Sequence, residues 1–350
     1  MKSTIREVAK LAGVSIGSVS NVFNGRRVRE DIYQRVMEAA SVLEYTPYAV
    51  ARKLALKKTK SIGLFIPHRG KEMFITGLWG FLTSLIHGIF KVTEARDYGF
   101  YLDFSSLSKI KKKDLLNKIV KEKALDGMII FLRCPIDCKL VAEIERQNFP
   151  AILVNAGLSG VNIPSIEVNN FKGAKEAIDY LIKLGHSRIA MITGPLEFLD
   201  VKERIKGYKQ SLKEHDIPYD PELIKEGDWV FKTGYFRTKE LINLKKPPTA
   251  IFCANDPMAA GAIKAIKEEK MLVPEDISII GFDDQVSAKM LEPPLTTVRQ
   301  PLYQLGVLSA KKLFDIIDRK NSGPTKKILD PKLIIRDSCT SPKKHLKENK

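Results

Sequence analysis

From residue 61 onward, short runs rich in β-branched and aromatic residues alternate with longer amphipathic segments. This alternation is typical of parallel βαβ units. It occurs in two similar series, which predicts an α/β body made of two similar halves. The predicted strands are 61–66, 100–104, 128–132 and 152–154 in the first series, and 165–168, 189–193, 250–253 and 277–281 in the second, with helices near 170–184, 200–214, 234–243 and 255–269.

The segment before this body has a different pattern, which predicts three short helices. Thr4 and Glu7 form the S/T-x-x-E arrangement that caps the start of a first helix. Gly13 marks a turn, and Ser15 can cap a second helix that runs to Phe23. Two helices joined in this way can set the second one into the major groove of DNA. The third predicted helix carries the apolar residues Ile32, Val36, Ala39, Ala40 and Leu43.

The charge of the chain points to a polyanionic partner. Among 350 residues, 58 Lys and Arg stand against 41 Asp and Glu, a net charge of +17. DNA, RNA and an acidic membrane would all suit this balance, and a Lys-rich surface explains part of it. Residues 1–60 hold twelve basic residues against five acidic ones, so the excess is concentrated at the N-terminal end. This concentration favours the helical head as the polyanion contact.

The cysteine and histidine positions predict neither a metal site nor a cofactor. Cys134, Cys138, Cys253 and Cys339 have no zinc-type spacing, so we expect ordinary reduced thiols. The N-terminal segment interleaves charged and apolar residues, which differs from a secretory signal. No apolar run approaches the length that spans a membrane. We therefore expect a cytoplasmic protein without a membrane partner.

The head resembles a known family along its whole length. The run TIREVAKLAGVSIGSVSNVFNG, followed by VREDIYQRVMEAASVLEYTPYAVARKL, is similar to the helix-turn-helix head and hinge of the lactose-repressor and purine-repressor (LacI) family. The resemblance implies a sequence-specific transcriptional regulator that binds double-stranded operator DNA. Ile16, Gly17 and Asn21 would read base edges. Ser15, Ser18, Ser20 and Asn24 complete the predicted contact set of the second helix, with the last three nearer the phosphates.

Two departures from the family pattern affect this contact set. The family often has polar side chains at the first two reading positions and Arg at the third, whereas this chain has Ile16, Gly17 and Asn21. More apolar contact, such as Ile16 with a thymine methyl, is therefore implied. The usual Ser-x-x-Thr-Arg after the turn is replaced by Arg29, Ile32 and Tyr33, which leaves that phosphate contact in question. The nearby cations Arg26, Arg27 and Arg29 would compensate electrostatically.

The segment after the head is too short to form a stable helix alone. In the LacI family, paired hinge helices from two subunits enter the minor groove and a leucine wedges a central base step. Leu54 holds that place here, and Ala51 would allow the backbone to approach closely. Without the neighbouring head, a plain linker would be the better interpretation. The resemblance also implies a homodimer or a larger assembly.

The same resemblance extends through the body, and more distantly to periplasmic sugar-binding proteins. It is carried by Lys183–Ile189 (KLGHSRI), Ala254–Ala259 (ANDPMA), Gly281–Asp284 (GFDD) and Pro293–Pro301 (PPLTTVRQP). It implies two doubly wound parallel-sheet subdomains with a ligand cleft between them. The predicted domains are a head at 1–46, a hinge at 47–60, a body at 61–340 and a basic tail at 341–350. The two lobes are expected at roughly 61–160 plus 291–325, and at 161–290 plus the C-terminal strand.

A sugar effector needs a stacking face and paired hydrogen bonds to vicinal hydroxyls. By resemblance, Arg204 matches the hydroxyl-binding arginine, Trp229 the aromatic platform and Asp283 the acidic partner. Between Pro67 and Gly88 the first loop is longer than the usual family loop, and Ala156 stands where many relatives have Arg. We therefore expect the effector to differ from those of well-known relatives. The remaining predicted effector residues are Phe81, Asn155 and Asn255.

Three classes of function compete: a repressor, a secreted sugar-binding protein and an enzyme. A binding protein would need a signal peptide and no head. Gly13–Gly17 matches the G-x-S-x-G pattern of a hydrolase nucleophile, but a strand should precede that serine, and residues 5–12 have helical periodicity instead. We therefore expect no enzyme. The sequence favours a repressor that a sugar-type effector releases from DNA, with corepressor binding of the purine-repressor type as the alternative.

Overall fold

The computed structural model describes residues 3–24, 26–45, 58–66, 73–103, 124–132, 138–157, 161–320 and 325–343. At 73–79 and 138–140 it describes the backbone only. The head contains three helices, α1 (Ile5–Ala12), α2 (Ile16–Phe23) and α3 (Glu30–Val42). None of the described helices of the chain is long and apolar enough to cross a membrane.

Local signals in the sequence set the ends of the head helices. The Thr4 side chain and Glu7 form the predicted capping box of α1, and Gly13 ends this helix with a φ of 63°. Such a left-handed conformation costs glycine little. Ser15 caps α2 by accepting a hydrogen bond of 3.0 Å from the Ser18 N–H. Arg35 of α3 donates to the Gly13 carbonyl at 3.0 Å, which fixes the turn between α1 and α2.

The first sheet of the body contains six parallel strands. Their order is β11 (Lys326–Leu329), β5 (Ser165–Val168), β4 (Ala151–Val154), β3 (Gly127–Phe131), β1 (Ser61–Phe65) and β2 (Gly99–Asp103). Ile129 and Phe131 join a buried cluster with α4 (Met73–Glu94) and α10 (Leu302–Ile317) on one face. Met128 and Ile130 join α5 (Cys138–Arg146) on the other. Helices therefore cover both faces, as in a doubly wound fold.

The second sheet repeats this plan with one antiparallel edge strand. Its order is β12 (Lys332–Ile334), β10 (Thr296–Arg299), β9 (Ser278–Asp283), β8 (Ala250–Cys253), β6 (Ile189–Thr193) and β7 (Ile224–Glu226), and only the β10–β12 pair is antiparallel. One face packs against α6 (Asn170–Lys183) and α7 (Leu199–Glu214). The other packs against α8 (Phe231–Ile242) and α9 (Asp256–Glu268).

The strand pairing corrects the expected division of the lobes at two strands. β5 was expected in the second lobe but pairs with β4 and β11 of the first sheet. The segment that becomes β10 was expected in the first lobe but pairs with β9 of the second sheet. The described chain thus crosses between the sheets after β5, after β10 and after β11. The domain boundaries otherwise stay a prediction.

The segment expected to be a long first loop also differs. Helix α4 begins at Met73, so Phe81 lies on a helix rather than in a loop. Leu82, Leu85 and Ile89 of this helix are fully buried, and their helical spacing gives α4 a continuous apolar face. Burial of that face against the first sheet explains why this segment is helical.

Candidate DNA interface and effector cleft

The second helix of the head presents the predicted base-reading residues at its surface. Ile16 is 47% exposed, and Gly17 beside it is also exposed. Asn21 is half-buried, and its side-chain oxygen lies 3.5 Å from Nη1 of Arg26. The Ser15 and Ser18 hydroxyls are 2.9 Å apart at the start of the helix. An apolar side chain and an amide are therefore the groups at the positions of α2 that the sequence predicts to meet base edges.

Two residues assigned to the phosphate side hydrogen-bond to each other. The Asn24 side-chain amide donates to the Ser20 hydroxyl at 3.1 Å. Arg29 forms an ion pair with Asp31 at 3.0 Å, and their side chains are 80% and 52% exposed. Such an exposed pair is weak, so Arg29 can still turn to a phosphate.

The two predicted hinge contacts, Ala51 and Leu54, lie outside the described residues.

Arg204 is at the centre of the buried polar network at the carboxyl edge of the second sheet. Only 2% of this residue is exposed. Its Nε donates to the Asn170 side-chain oxygen at 2.9 Å, and Nη1 donates to the Ala254 carbonyl. Nη2 lies 3.6 Å from a carboxylate oxygen of Asp200. The guanidinium is therefore held in one orientation before any ligand binds.

Trp229 and Asn255 lie beside this arginine. The guanidinium carbon of Arg204 is 5.6 Å from the centre of the Trp229 ring, and Phe198 meets the same ring edge-on at 6.0 Å. Asn255 donates from its side chain to the Trp229 carbonyl at 2.8 Å and accepts from the Met258 N–H at 3.0 Å. The structure thus brings together three of the six predicted effector residues.

Two others line one pocket of about 420 Å³. Asp283 accepts a hydrogen bond of 2.7 Å from the Gln300 side chain, and the Phe81 ring lies 5.8 Å from the Phe131 ring. The sixth residue, Asn155, joins two strands instead, because its side-chain oxygen accepts from the Val168 N–H at 3.0 Å. The pocket is lined by Gly80, Phe81, Ser84, Asp283, Asp284, Gln285, Arg299, Gln300, Pro301, Leu302, Tyr303 and Gln304.

Comparison with known proteins identifies the chain. Residues 4–48 match the profile of bacterial regulatory proteins of the lacI family, and residues 178–339 match a periplasmic binding protein-like domain. The chain is 33% identical to the probable HTH-type transcriptional repressor ExuR of Bacillus subtilis (strain 168), over 96% of this chain and 98% of that protein. This chain belongs to the LacI family. It is a transcriptional regulator with a helix-turn-helix DNA-binding domain.

Further relatives and solved structures agree with this assignment over nearly the whole chain. The LacI-family regulator is 34% identical to the HTH-type transcriptional repressor PurR of Histophilus somni (strain 2336), covering 96% of this chain and 98% of that one. It matches the lac repressor dimer bound to operator and the anti-inducer ONPF with a TM-score of 0.83, 28% identity and coverages of 97% and 100%. A CelR–cellobiose complex matches with a TM-score of 0.73, 27% identity and coverages of 96% and 99%.

Sequence reasoning missed a buried carboxylate in the cleft of this LacI-family regulator. Asp256, only 1% exposed, accepts from the Thr297 hydroxyl at 2.5 Å and from the Gln285 N–H at 2.7 Å. Burial raises the pKa of Asp256 well above its usual range, and the nearby Asp283 carboxylate raises it further. The motif Asn255-Asp256-Pro257 was the available signal, but its spacing alone does not reveal partners some 30 to 40 residues away.

Asn170 and Gln300 were missed for the same reason, because they hydrogen-bond predicted site residues that lie 34 and 17 positions away. Gln285 was also missed, although its side chain donates to Asp283 only two positions away. Among the described residues, no group of three or more His, Cys, Asp or Glu side chains is placed to hold a metal ion. Cys253 and Cys339, which also belong to the described residues, are free thiols.

Proposed function

We propose that this LacI-family regulator is a homodimeric repressor that binds an inverted-repeat operator in the cytoplasm and is released by a carbohydrate effector. The observation that carries the effector assignment is the preorganised set of Arg204, Trp229 and Asn255, in which Arg204 lies over the ring of Phe282, the residue before Asp283 of the pocket. A planar cation, an aromatic face and carboxylates suit vicinal hydroxyls. The site works by binding rather than by catalysis.

Helix α10 runs from this pocket to the place where the hinge joins the body. Its first residue, Leu302, lines the pocket. Asp318, just after its last residue, lies 3.7 Å from the Lys58 ammonium at the end of the predicted hinge. Sixteen residues of helix span about 24 Å. A shift of the pocket wall at one end of α10 would therefore be felt where the hinge joins the body.

The close packing of α10 against α4 supports this link. A Cβ at Gly88 would overlap the Tyr303 carbonyl, and a Cβ at Gly306 would overlap the Leu85 carbonyl. The two helices therefore contact backbone to backbone and would move together. An effector can favour one lobe arrangement only by binding the two arrangements unequally. By linkage, operator DNA would then weaken effector binding by the same factor.

Exposed apolar residues on the second lobe support dimerisation. Val286 is 74% exposed and Met290, four positions later at the end of the same short helical segment, is 75% exposed. Met290→Asp should shift the protein to monomers and weaken operator binding, because a charge would be buried in the interface. Leu272→Asp, at another exposed apolar residue of 57% exposure, is the matched control. Sedimentation showing a dimer for both variants would rule out this surface as the interface.

The effector proposal is tested by a thermal-shift screen of monosaccharides, disaccharides, nucleosides and purines. The affinity for a DNA duplex selected from a random-sequence pool is then measured with and without each hit. We expect a sugar hit to weaken DNA binding. A purine or nucleoside that tightens DNA binding would instead support a regulator that needs a corepressor to bind DNA. Hits without any effect on DNA binding would contradict the proposed regulation.

A further inference from the structure

One carboxylate holds the point where the predicted hinge joins the body. Asp126, directly before β3, accepts three hydrogen bonds from two consecutive residues. The Thr59 N–H and hydroxyl donate to its Oδ1 at 2.7 and 3.0 Å, and the Lys60 N–H donates to its Oδ2 at 3.0 Å. Hydrogen bonds to an ionised acceptor are stronger than those between neutral groups. Asp126 therefore fixes two backbone positions of the chain as it leaves the hinge.

The backbone around this carboxylate is turned to meet it. Lys60 has a φ of 52°, a left-handed conformation that is unfavourable for a side chain with a Cβ. Its carbonyl accepts from the Gly99 N–H at 2.7 Å, and the Asp126 N–H donates to the Ser61 carbonyl at 2.8 Å. The turn is thus tied to both neighbours of β1, the strands β2 and β3.

The aromatic ring of Tyr98 also contacts this turn, through the Lys60 side chain. The Lys60 ammonium lies 4.8 Å from the centre of the Tyr98 ring, which meets Phe314 of α10 edge-on at 4.8 Å. Burial raises the pKa of Tyr98 to about 12, and the adjacent Asp126 carboxylate contributes. The Tyr98 hydroxyl therefore stays protonated at neutral pH.

The neighbouring ion pair contributes less than this carboxylate. Lys58 and Asp318 are 3.7 Å apart with side chains 46% and 32% exposed, and Asp318 also pairs with Arg96 at 2.9 Å. An exposed pair of this kind contributes little to stability. The three short hydrogen bonds to Asp126 are therefore the principal attachment of this junction.

We propose that Asp126 is a positioning residue for DNA binding: by holding Thr59 and Lys60 it fixes where the hinge leaves the body, and so the separation of the two hinges in a dimer. The proposal rests on the dimeric DNA-binding function proposed above. A hinge helix too short to be stable alone depends on that separation to meet its partner. A body that lost this attachment would still fold and bind its effector.

The test compares Asp126→Asn with Asp97→Asn in the full chain. Asparagine keeps the size of Asp126 but replaces one acceptor oxygen with an amide that faces a backbone N–H. Asp97 is an exposed aspartate of the same lobe, so its substitution removes the same charge without touching the junction. Three quantities are measured: affinity for the duplex selected by the wild type, hydrogen exchange of the peptide that contains Thr59 and Lys60, and the melting temperature.

We expect Asp126→Asn to bind the selected duplex about tenfold more weakly and to exchange the Thr59 and Lys60 amides faster. Its melting temperature should stay within about 3 °C of the wild type. Asp97→Asn should match the wild type in all three. Unchanged exchange, or faster exchange with unchanged DNA affinity, would overturn the proposal. A wild-type chain that selects no duplex would instead contradict the proposed function, a result distinct from any difference between variants.

Discussion

The guanidinium carbon of Arg204 lies 3.7 Å from the centre of the Phe282 ring. Phe282 is fully buried in β9, directly before Asp283. Arg204 thus joins the helix α7 to the strand that carries the acidic residue of the pocket. This arginine belongs to the core of the second lobe as much as to its cleft.

Arg204→Ala should therefore lower the free energy of unfolding as well as effector affinity. The substitution leaves the Asp200 carboxylate, only 9% exposed, without its nearby cation. Breaking a buried pair in this way costs about 3–5 kcal/mol. Urea denaturation measures the loss. Lys202→Ala, at an exposed position of the same helix, should change stability by less than about 0.5 kcal/mol, and equal effects of the two variants would contradict the role given to Arg204.

Gly194→Ala should displace the Trp229 platform. A Cβ at position 194 would overlap the six-membered part of the indole ring, and Trp229 is only 4% exposed. Overpacking of this kind costs about 1–3 kcal/mol, and effector affinity should fall with it. A double-mutant cycle checks this, because Trp229→Phe removes the overlapping atoms. If the effects of the two substitutions on the free energy of unfolding were additive, the indole would not be the group that Gly194 accommodates.

The stability of the protein should fall as the pH drops below about 6.5. Burial lowers the pKa of His186, more strongly than its hydrogen bond to the Thr340 carbonyl raises it. The folded protein then binds fewer protons at this site than the unfolded chain does, so acid favours unfolding. His186 contributes fully above its unfolded-state pKa, and this contribution is lost as the pH falls toward its lower folded-state pKa.

Urea midpoints at pH 8 and pH 5.5 measure this dependence. His186→Gln should flatten it. A pH dependence that persists in His186→Gln would assign the effect to other groups.

Asn21→Ala should relax base preference at one position of each half-site. A side-chain amide can pair with adenine, and its loss costs about 1–3 kcal/mol of discrimination. Asn24→Ala is the contrasting variant, because Asn24 bonds Ser20 and is predicted on the phosphate side. It should weaken binding to all sequences equally. Selection of duplexes by each variant distinguishes the two effects, and an unchanged preference for Asn21→Ala would remove it from the reading set.

Leu54→Ala should weaken operator binding and spare non-specific binding. Removal of an apolar wedge and the bend that it supports costs about 1–3 kcal/mol. Gel-shift measurement of DNA bending checks the mechanism, with Leu56→Ala as a second leucine of the same segment. Unchanged affinity and bending would favour a plain linker.

The sequence by itself determined the features that depend on neighbouring residues. Capping by Thr4, Glu7 and Ser15 and the left-handed Gly13 involve partners within a few positions, so the helices of the head were predicted close to their observed bounds. Apolar periodicity located most strands of both sheets in the same way. Asp283, the last residue of β9 and part of the pocket, was also accessible from a motif.

Only the tertiary structure decided which distant groups meet. It placed β5 in the first sheet, beside β4 and β11, and β10 in the second, beside β9 and β12, because backbone hydrogen bonds between strands decide the sheet to which a strand belongs and the apolar pattern along the chain does not. It also joined Arg204 to Asn170, 34 positions away, and Thr59 to Asp126, 67 positions away. Hydrogen bonds between such residues depend on how the sheets and helices pack, and local periodicity carries no record of that packing.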